Sequence, residues 1–428
     1  MTTAEKAARG KLAAQSALGL DAATKDRALA AIAAAIGKEA ELAIAANAAD
    51  LIDAEAAGLP SPLLKRLKFD EAKVRESIAG IEALRSLPDP VGRVLSARRL
   101  DEGLVLRQVS CPIGLIAMIF ESRPDALVQM ACLVAKSGNA VILKGGSEAS
   151  RTNRVLADII YRAGKGAGLP EDWLGLLETR AEIGELLALD QYVDLIVPRG
   201  TKEFVARIKA TSRIPVLGHA DGICHVYVHE DADPAMAARI VVDSKAQSPA
   251  TCNAAEVLLV HRGFAARHLG AIVSALEEAG VRLDIERESA ALLGREATKS
   301  DEDWSVEYLD LRMAVKLVGS VDEAIDHINR HGSHHTDAIV SSSPETARRF
   351  MDRVDSADAF WNASTRFSDG YRFGLGAEVG ISTGKLHARG PVGLEGLCTY
   401  KWKLEGSGDI VADYASGAKA FKHEEIQP

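Results

Sequence analysis

From Leu115 onward the chain alternates short apolar runs with longer stretches of helical spacing, and that alternation leaves few folds open. Strand-like runs near 115–120, 140–144, 174–178 and 193–197 are separated by helical patterns near 125–137, 150–164 and 181–189. Strands joined by helices of that length predict a parallel sheet with covering helices. A helix from Lys202 then leads to strand-like runs at Val216 and His225–Val228, where the first domain is expected to end. A second unit of the same kind follows. It has a helix at 234–245, strands near 256–260 and 313–318, a helix at 321–329 and a strand at Asp337–Val340. Ser343-Pro344-Glu345 opens a further helix, with serine as N-cap and proline at the first helical position. The expectation is two α/β domains.

The segments before Leu115 have other textures. The first ~90 residues are rich in alanine, with apolar and charged residues at helical spacing, and predict a helical region. Gly92 to Val109 alternates basic and apolar residues around Asp101-Glu102-Gly103, which reads as a hairpin. With 428 residues, of which 47% are apolar and 26% charged, the chain can fill two or three ordinary cores. Its net charge of −9 is spread along the length, so no basic footprint for nucleic acid or an anionic membrane exists. No run reaches the roughly 18 apolar residues a spanning helix needs, and the opening residues give no reason to expect a secretory leader. Five widely spaced cysteines without a CxxC pair argue against a disulfide framework or structural zinc. The expectation is a cytoplasmic protein.

One cysteine stands out. Cys252 lies in Gln247-Ser-Pro-Ala-Thr-Cys252-Asn253, a proline-marked loop between a helical stretch ending near Lys245 and the strand-like run from Glu256 to Val260. A thiol with the ordinary pKa of ~8.5 is only a few per cent ionised at neutral pH, so a nucleophilic role needs a helix N-terminus or a cation nearby, for which Lys245 is available. The alternative is a small buried hydrophobe.

Other segments are suited to anions. Lys144-Gly145-Gly146-Ser147 ends a strand and opens a helix, so backbone amides and a lysine meet at the sheet edge where parallel sheets bind ligands. Gly200 and Thr201 repeat that arrangement, although Thr201 can equally be a plain helix cap. No GxGxxG fingerprint is present. Arg123, in Phe120-Glu-Ser-Arg-Pro124, is another cation at a strand end. The run Gly380 to Pro391 gathers Lys385, His387 and Arg389 with two hydroxyls, as an anion-holding loop would. His219 lies in a linker running to His225 and can serve as a base or an anion ligand. His327 and His331 are four apart, with His334 and His335 close behind, but HExxH is absent and no metal is expected.

Together these motifs carry a resemblance that runs through nearly the whole chain. It rests on Phe120–Pro124, Lys136–Ala149, Gly222–Tyr227, the Cys252 loop, Asn362-Ala-Ser-Thr-Arg-Phe367, and Leu375–Glu378 through Pro391. The sequence resembles the γ-glutamyl phosphate reductases of the aldehyde dehydrogenase superfamily. The resemblance implies an aldehyde dehydrogenase-like fold, with an NADP(H)-binding domain over 1–226 and a catalytic domain over 227–390. It also implies homo-oligomerisation, as dimer or tetramer, through the hairpin near 92–109 and the segment 391–428. The implied reaction is NADPH-dependent reduction of L-glutamate 5-phosphate to L-glutamate 5-semialdehyde, the second step of proline synthesis, through a thioester on Cys252. A glutamate 5-kinase would be the partner handing over the substrate.

Residue by residue, the resemblance places Cys252 and Asn253 at the catalytic centre, with Ser122 where relatives have an oxyanion-hole asparagine. Lys144, Gly145, Gly146, Ser147, Gly200 and Thr201 would contact the cofactor, and either Asp310 or Glu307 its ribose. Arg123, His219, Asn362, His387 and Arg389 would contact substrate. His219 stands where hydrolytic relatives carry the glutamate that activates water, and Lys144 where the family usually has arginine. Loss of the water-activating base would protect the thioester for hydride. The alternatives are an acylating enzyme acting on a coenzyme A thioester, or a catalytically silent relative.

Overall fold

The computed structural model describes residues 1–121, 123–218, 221–299 and 303–427. The alanine-rich beginning forms α1 (Thr3–Ala17), α2 (Ala22–Lys38), α3 (Ala40–Ala56), α4 (Ser61–Leu67) and α5 (Glu71–Ser86). In α2, Ala28, Leu29, Ile32, Ala33 and Ile36 recur at helical spacing and are all buried, and the Asp21 side chain caps its start. A hairpin of β1 (Val94–Asp101) and β2 (Leu104–Pro112) follows, its turn closed by Gly103 at φ +77°.

The first parallel sheet consists of β3 (Leu115–Phe120), α6 (Pro124–Lys136), β4 (Ala140–Lys144), α7 (Ser150–Gly166), β5 (Leu174–Leu177), α8 (Arg180–Leu186), β6 (Leu195–Arg199) and α9 (Lys202–Thr211). Its strand order is β5-β4-β3-β6. Every residue of β3 is buried, and the side chains divide by parity. Leu115, Ala117 and Ile119 pack with the alanines of α1, whereas Ile116, Met118 and Phe120 pack with α2 and α6. The N-terminal helices are thus part of the covering of this sheet. Gly10 of α1 lies so close that a Cβ there would meet Leu115 Cδ1 at 2.9 Å.

The second sheet is built from β7 (Cys224–Val228), α10 (Pro234–Ala246), β8 (Ala255–His261), α11 (Arg262–Glu278), β9 (Arg282–Ile285), α12 (Arg287–Leu293), β10 (Arg312–Val318), α13 (Val321–His331), β11 (Thr336–Val340), α14 (Pro344–Arg353) and β12 (Asp358–Trp361). All pairs are parallel, in the order β12-β11-β7-β8-β10-β9. Ser343 caps α14 as its sequence indicates. The run His225–Val228 belongs wholly to this sheet, through β8 and β11, so the chain changes sheets ahead of Cys224 and a division at 226 would cut a strand. Val216 makes a single bridge to Ile196 of the first sheet.

The chain then returns through a short pair, β13 (Gly380–Ser382) and β14 (Gly390–Val392), to the early hairpin. There β15 (Cys398–Glu405) pairs with β2, and β16 (Glu424–Ile426), beyond α15 (Val411–Ala415), pairs with β1. The result is a four-stranded antiparallel sheet of order β15-β2-β1-β16. Among the described residues no helix is long and apolar enough to cross a membrane.

Candidate active site

In the first sheet the connections run from β3 outward through β4 to β5 and then jump to β6 on the other side of β3, so the C-terminal ends of β3 and β6 form a switch point where parallel sheets open a crevice. A cavity of about 1160 Å³ lies there. From the first sheet it is lined by Phe120, Lys144 to Glu148, and Arg199 to Thr201. From the second domain come Cys252 and Glu307.

The Cys252 loop is fixed from several sides. Lys245 Nζ, at the end of α10, pairs with the Glu256 carboxylate at 2.6 Å at the start of β8, and both side chains are fully buried. This ion pair clips the two ends of the loop together. The Cys224 thiol donates to the Cys252 carbonyl at 3.3 Å, and Asn253 Nδ2 donates to the Ser368 carbonyl at 2.6 Å. Gly222 lies directly on the loop. A Cβ there would fall 2.4 Å from Cys252 Cα, so any larger residue would push the nucleophile loop aside. The Gly222 N–H in turn donates to Glu307 at 2.8 Å.

The electrostatics differ from the sequence expectation. Lys245 is committed to Glu256 and does not activate the thiol. Burial, reinforced by the Glu378 and Glu307 carboxylates, pushes the Cys252 thiol up to about 12, and Arg199 is the cation that opposes them. Arg199 itself is lowered by burial, then by Arg123, with Glu378 and Cys252 pulling the other way. Among the described residues Arg199 makes no ion pair or side-chain hydrogen bond, whereas Arg123 donates to Asp125 at 3.1 Å. Burial likewise raises Glu378, which accepts from the Gly370 N–H at 2.8 Å. The site therefore holds a protonated thiol, the half-buried Arg199 guanidinium without an ion pair among the described residues, and the Glu307 and Glu378 carboxyls raised by burial.

These signs give a testable pH dependence. Alkylation of Cys252 by iodoacetamide will keep rising with pH through 7 to 10, because the thiolate is scarce throughout that range. Arg199→Gln will slow it by about tenfold, the equivalent of roughly one pKa unit, and Glu378→Gln will speed it. Equal rates in all three proteins would remove Arg199 and Glu378 from the electrostatics of the thiol.

Of the residues singled out from sequence, Cys252, Lys144, Gly145, Gly146, Ser147, Gly200, Thr201, Glu307 and Arg123 meet in this one cavity. Thr201 is the N-cap residue of α9 but its side chain makes no capping bond. Ser122 and His219 lie outside the described residues. The remaining residues do not line the cavity. Asp310 is exposed and accepts from the Leu311 N–H, which leaves Glu307 as the carboxylate at the site. Asn362 spends both ends of its amide on the Ser341 backbone, at 3.0 Å each. Arg389 and Lys385 both bind Asp355, and His387 Nε2 bonds the Gly396 carbonyl, while Arg389 Nε is buried without a hydrogen-bond partner among the described residues. Asn253 is a buried anchor whose donor is spent on Ser368. Among the described residues no group of three or more His, Cys, Asp or Glu is placed to hold an ion, and His327 packs against Trp304, His225 and His331. Arg199 and Glu378 carry no assigned role in the sequence, although Arg199 directly precedes Gly200 and Glu378 closes the Leu375–Glu378 segment.

The cavity suits an elongated dinucleotide, with Gly145 and Gly146 at the sheet edge and the thiol in the same cleft. Comparison with known proteins agrees. The profile of the aldehyde dehydrogenase family matches residues 4–309. An acetylating aldehyde dehydrogenase from Geobacillus thermoglucosidasius shares the fold, with a TM-score of 0.65 at 17% identity over 95% of this chain and 97% of that one. The chain belongs to the aldehyde dehydrogenase family.

The γ-glutamyl phosphate reductase of Pelotomaculum thermopropionicum is 58% identical over 403 residues, covering 94% of this chain and 92% of that protein. That of Methanosarcina mazei is 49% identical, covering 98% and 97%. The crystal structure of the Thermotoga maritima γ-glutamyl phosphate reductase superposes with a TM-score of 0.93 at 35% identity, over 96% of this chain and all of that one. Within the family, the chain belongs to the γ-glutamyl phosphate reductases.

Proposed function

We infer that Cys252 is the nucleophile through which this chain reduces L-glutamate 5-phosphate to L-glutamate 5-semialdehyde with NADPH, in the synthesis of proline. The carrying observation is that the Cys252 thiol and the unpaired Arg199 guanidinium meet in the same cavity as the Lys144–Ser147 turn.

The thiol sulfur bonds to the acyl carbon and the bond from that carbon to the phosphate oxygen breaks. The thiol proton leaves with the phosphate, so a protonated resting thiol is consistent with this step. Arg199 and Arg123 supply positive charge where the phosphate departs. Lys144, the two glycines after it, Ser147, Gly200, Thr201 and Glu307 would hold the dinucleotide, which would supply hydride to the thioester carbon. The oxyanion left on that carbon is stabilised by the Cys252 backbone amide, and its collapse frees the semialdehyde and a thiolate that takes a proton from solvent. Gly222 and Asn253 keep the loop in place throughout.

The same reading assigns residues up to about 223 to cofactor binding and those from Cys224 to β12 to catalysis. The antiparallel arm would join copies of the chain, a role supported by Tyr400, Trp402 and Leu404, each more than half exposed on β15. A cytoplasmic location and hand-off from a glutamate 5-kinase fit a labile acyl phosphate substrate.

Run in reverse, with semialdehyde and NADP⁺, NADPH formation will depend on inorganic phosphate. Coenzyme A will not replace it. Full activity without phosphate would mean that water deacylates the enzyme, and activity with coenzyme A in its place would make the substrate a thioester.

A further inference from the structure

If NADP(H) lies in the cavity with its reacting end at Cys252 and its adenosine end toward the Lys144–Glu148 turn, which lines the same cavity, a cation must meet the 2′-phosphate there. Lys144 is poorly placed for this. It is buried, its Nζ donates to the carbonyl of the adjacent Gly145, and burial lowers its pKa. We propose that Lys65 and Arg66, in the last turn of α4, hold the 2′-phosphate, so that the helical N-terminal region sets the preference for NADPH over NADH. The proposal rests on the cofactor reading above.

Three observations carry it. Lys65 and Arg66 line the same cavity as Lys144 to Glu148, together with Leu59 and Leu63. Among the described residues neither makes an ion pair or side-chain hydrogen bond. The cations that follow them along the chain are paired, Lys68 with Asp70, Lys73 with Glu76 and Arg75 with Glu71, whereas Arg180, which also lines the cavity, has no ion pair among the described residues. Third, α4 is held against the turn by built contacts. Leu67 packs on Ala149, just past Glu148. Asn47, 2% exposed, donates to the Leu67 carbonyl at 2.9 Å and to Thr152 Oγ1 at 3.3 Å, and accepts from the Phe69 N–H at 2.7 Å. Asp50 accepts from both the N–H and the hydroxyl of Thr152. The end of α4 and the start of α7 are therefore tied through α3, and two unpaired cations are presented beside the glycine turn. A guanidinium can meet a phosphate with two parallel donors, and such charge-assisted bonds discriminate strongly.

The test separates this inference from the cofactor reading. Binding of 2′,5′-ADP and of 5′-AMP is measured by calorimetry on the full chain, alongside the ratio of kcat/KM for NADPH to that for NADH. Wild type will prefer 2′,5′-ADP. Arg66→Ser will lower 2′,5′-ADP affinity by about tenfold or more while 5′-AMP affinity changes less than twofold, and the NADPH to NADH ratio will fall by a similar factor. Lys65→Ser will act in the same direction and Arg66→Lys will recover part of the loss. Unchanged 2′,5′-ADP affinity in Arg66→Ser, or an equal loss for both nucleotides, overturns the proposal. So does a loss confined to Arg180→Ser, since Arg180 lines the cavity within electrostatic reach of Lys144. Equal wild-type affinity for both nucleotides would overturn the cofactor reading as well.

Discussion

Cys252→Ala will lower turnover with either direction's substrates by at least about 10³-fold, the scale expected when a covalent nucleophile is removed and only binding and electrostatic stabilisation remain. The loss will appear in kcat, while affinity for 2′,5′-ADP stays at the wild-type level, because the side chain is small and its loop is held by other contacts. Those contacts are the Lys245–Glu256 pair, the Asn253 bond to Ser368 and the close approach of Gly222. Cys252→Ser will fare little better, since a hydroxyl ionises far less readily than a thiol in a site that already disfavours the anion. Steady-state kinetics and calorimetry on the same preparation check both halves. Retention of a tenth or more of wild-type turnover would sink the covalent route.

The second large effect is on stability. Lys245→Met leaves the Glu256 carboxylate fully buried without its cation, and Glu256→Gln does the converse. Each will destabilise the fold by about 3–5 kcal/mol, the usual cost of an uncompensated buried charge. The double replacement Lys245→Met with Glu256→Leu will recover most of that loss. The pH dependence of Lys245→Met follows from the direction of the Glu256 shift. Even beside Lys245, burial raises this carboxyl from its ordinary 4.5 to about 7, and loss of the lysine raises it further. The folded state then binds more protons than the unfolded state above pH 4.5, so stability falls as pH rises through that window. The Lys245→Met defect will thus be largest above pH 7 and smaller at pH 5. Urea unfolding at the two pH values checks it, and a defect that grows toward acid would contradict the assignment.

Legibility in the sequence followed physical cause. Strands buried on both faces, such as Leu115–Phe120 and Ala140–Lys144, appear as unbroken apolar runs and were placed within a residue or so. The four-residue strands β9 and β12 interrupt their apolar residues with Asp284 or begin with Asp358, and no periodicity announces them. The thiol and the glycine turns were legible because each residue type carries its own chemistry. Which cation faces the thiol was not, because charge gives no direction. Lys245, seven positions from Cys252, turns inward to Glu256, whereas Arg199, from another domain, shares the cavity with the thiol through the juxtaposition of two sheets. In the run from Gly380 to Pro391 the partners were hidden for the same reason, since Lys385 and Arg389 turn to Asp355, some thirty residues back along the chain.

In the proposed mechanism Cys252 forms a thioester that water does not resolve. Mixing the enzyme with L-glutamate 5-semialdehyde and NADP⁺ in phosphate-free buffer tests it most directly, with NADPH absorbance followed in time and Cys252-containing peptides analysed by mass spectrometry after acid quench. The expected result is a burst approaching one NADPH per active chain, a glutamyl adduct on Cys252, and renewed turnover when phosphate is added. Continuous NADPH formation without phosphate, or a burst with no adduct on Cys252, would contradict it.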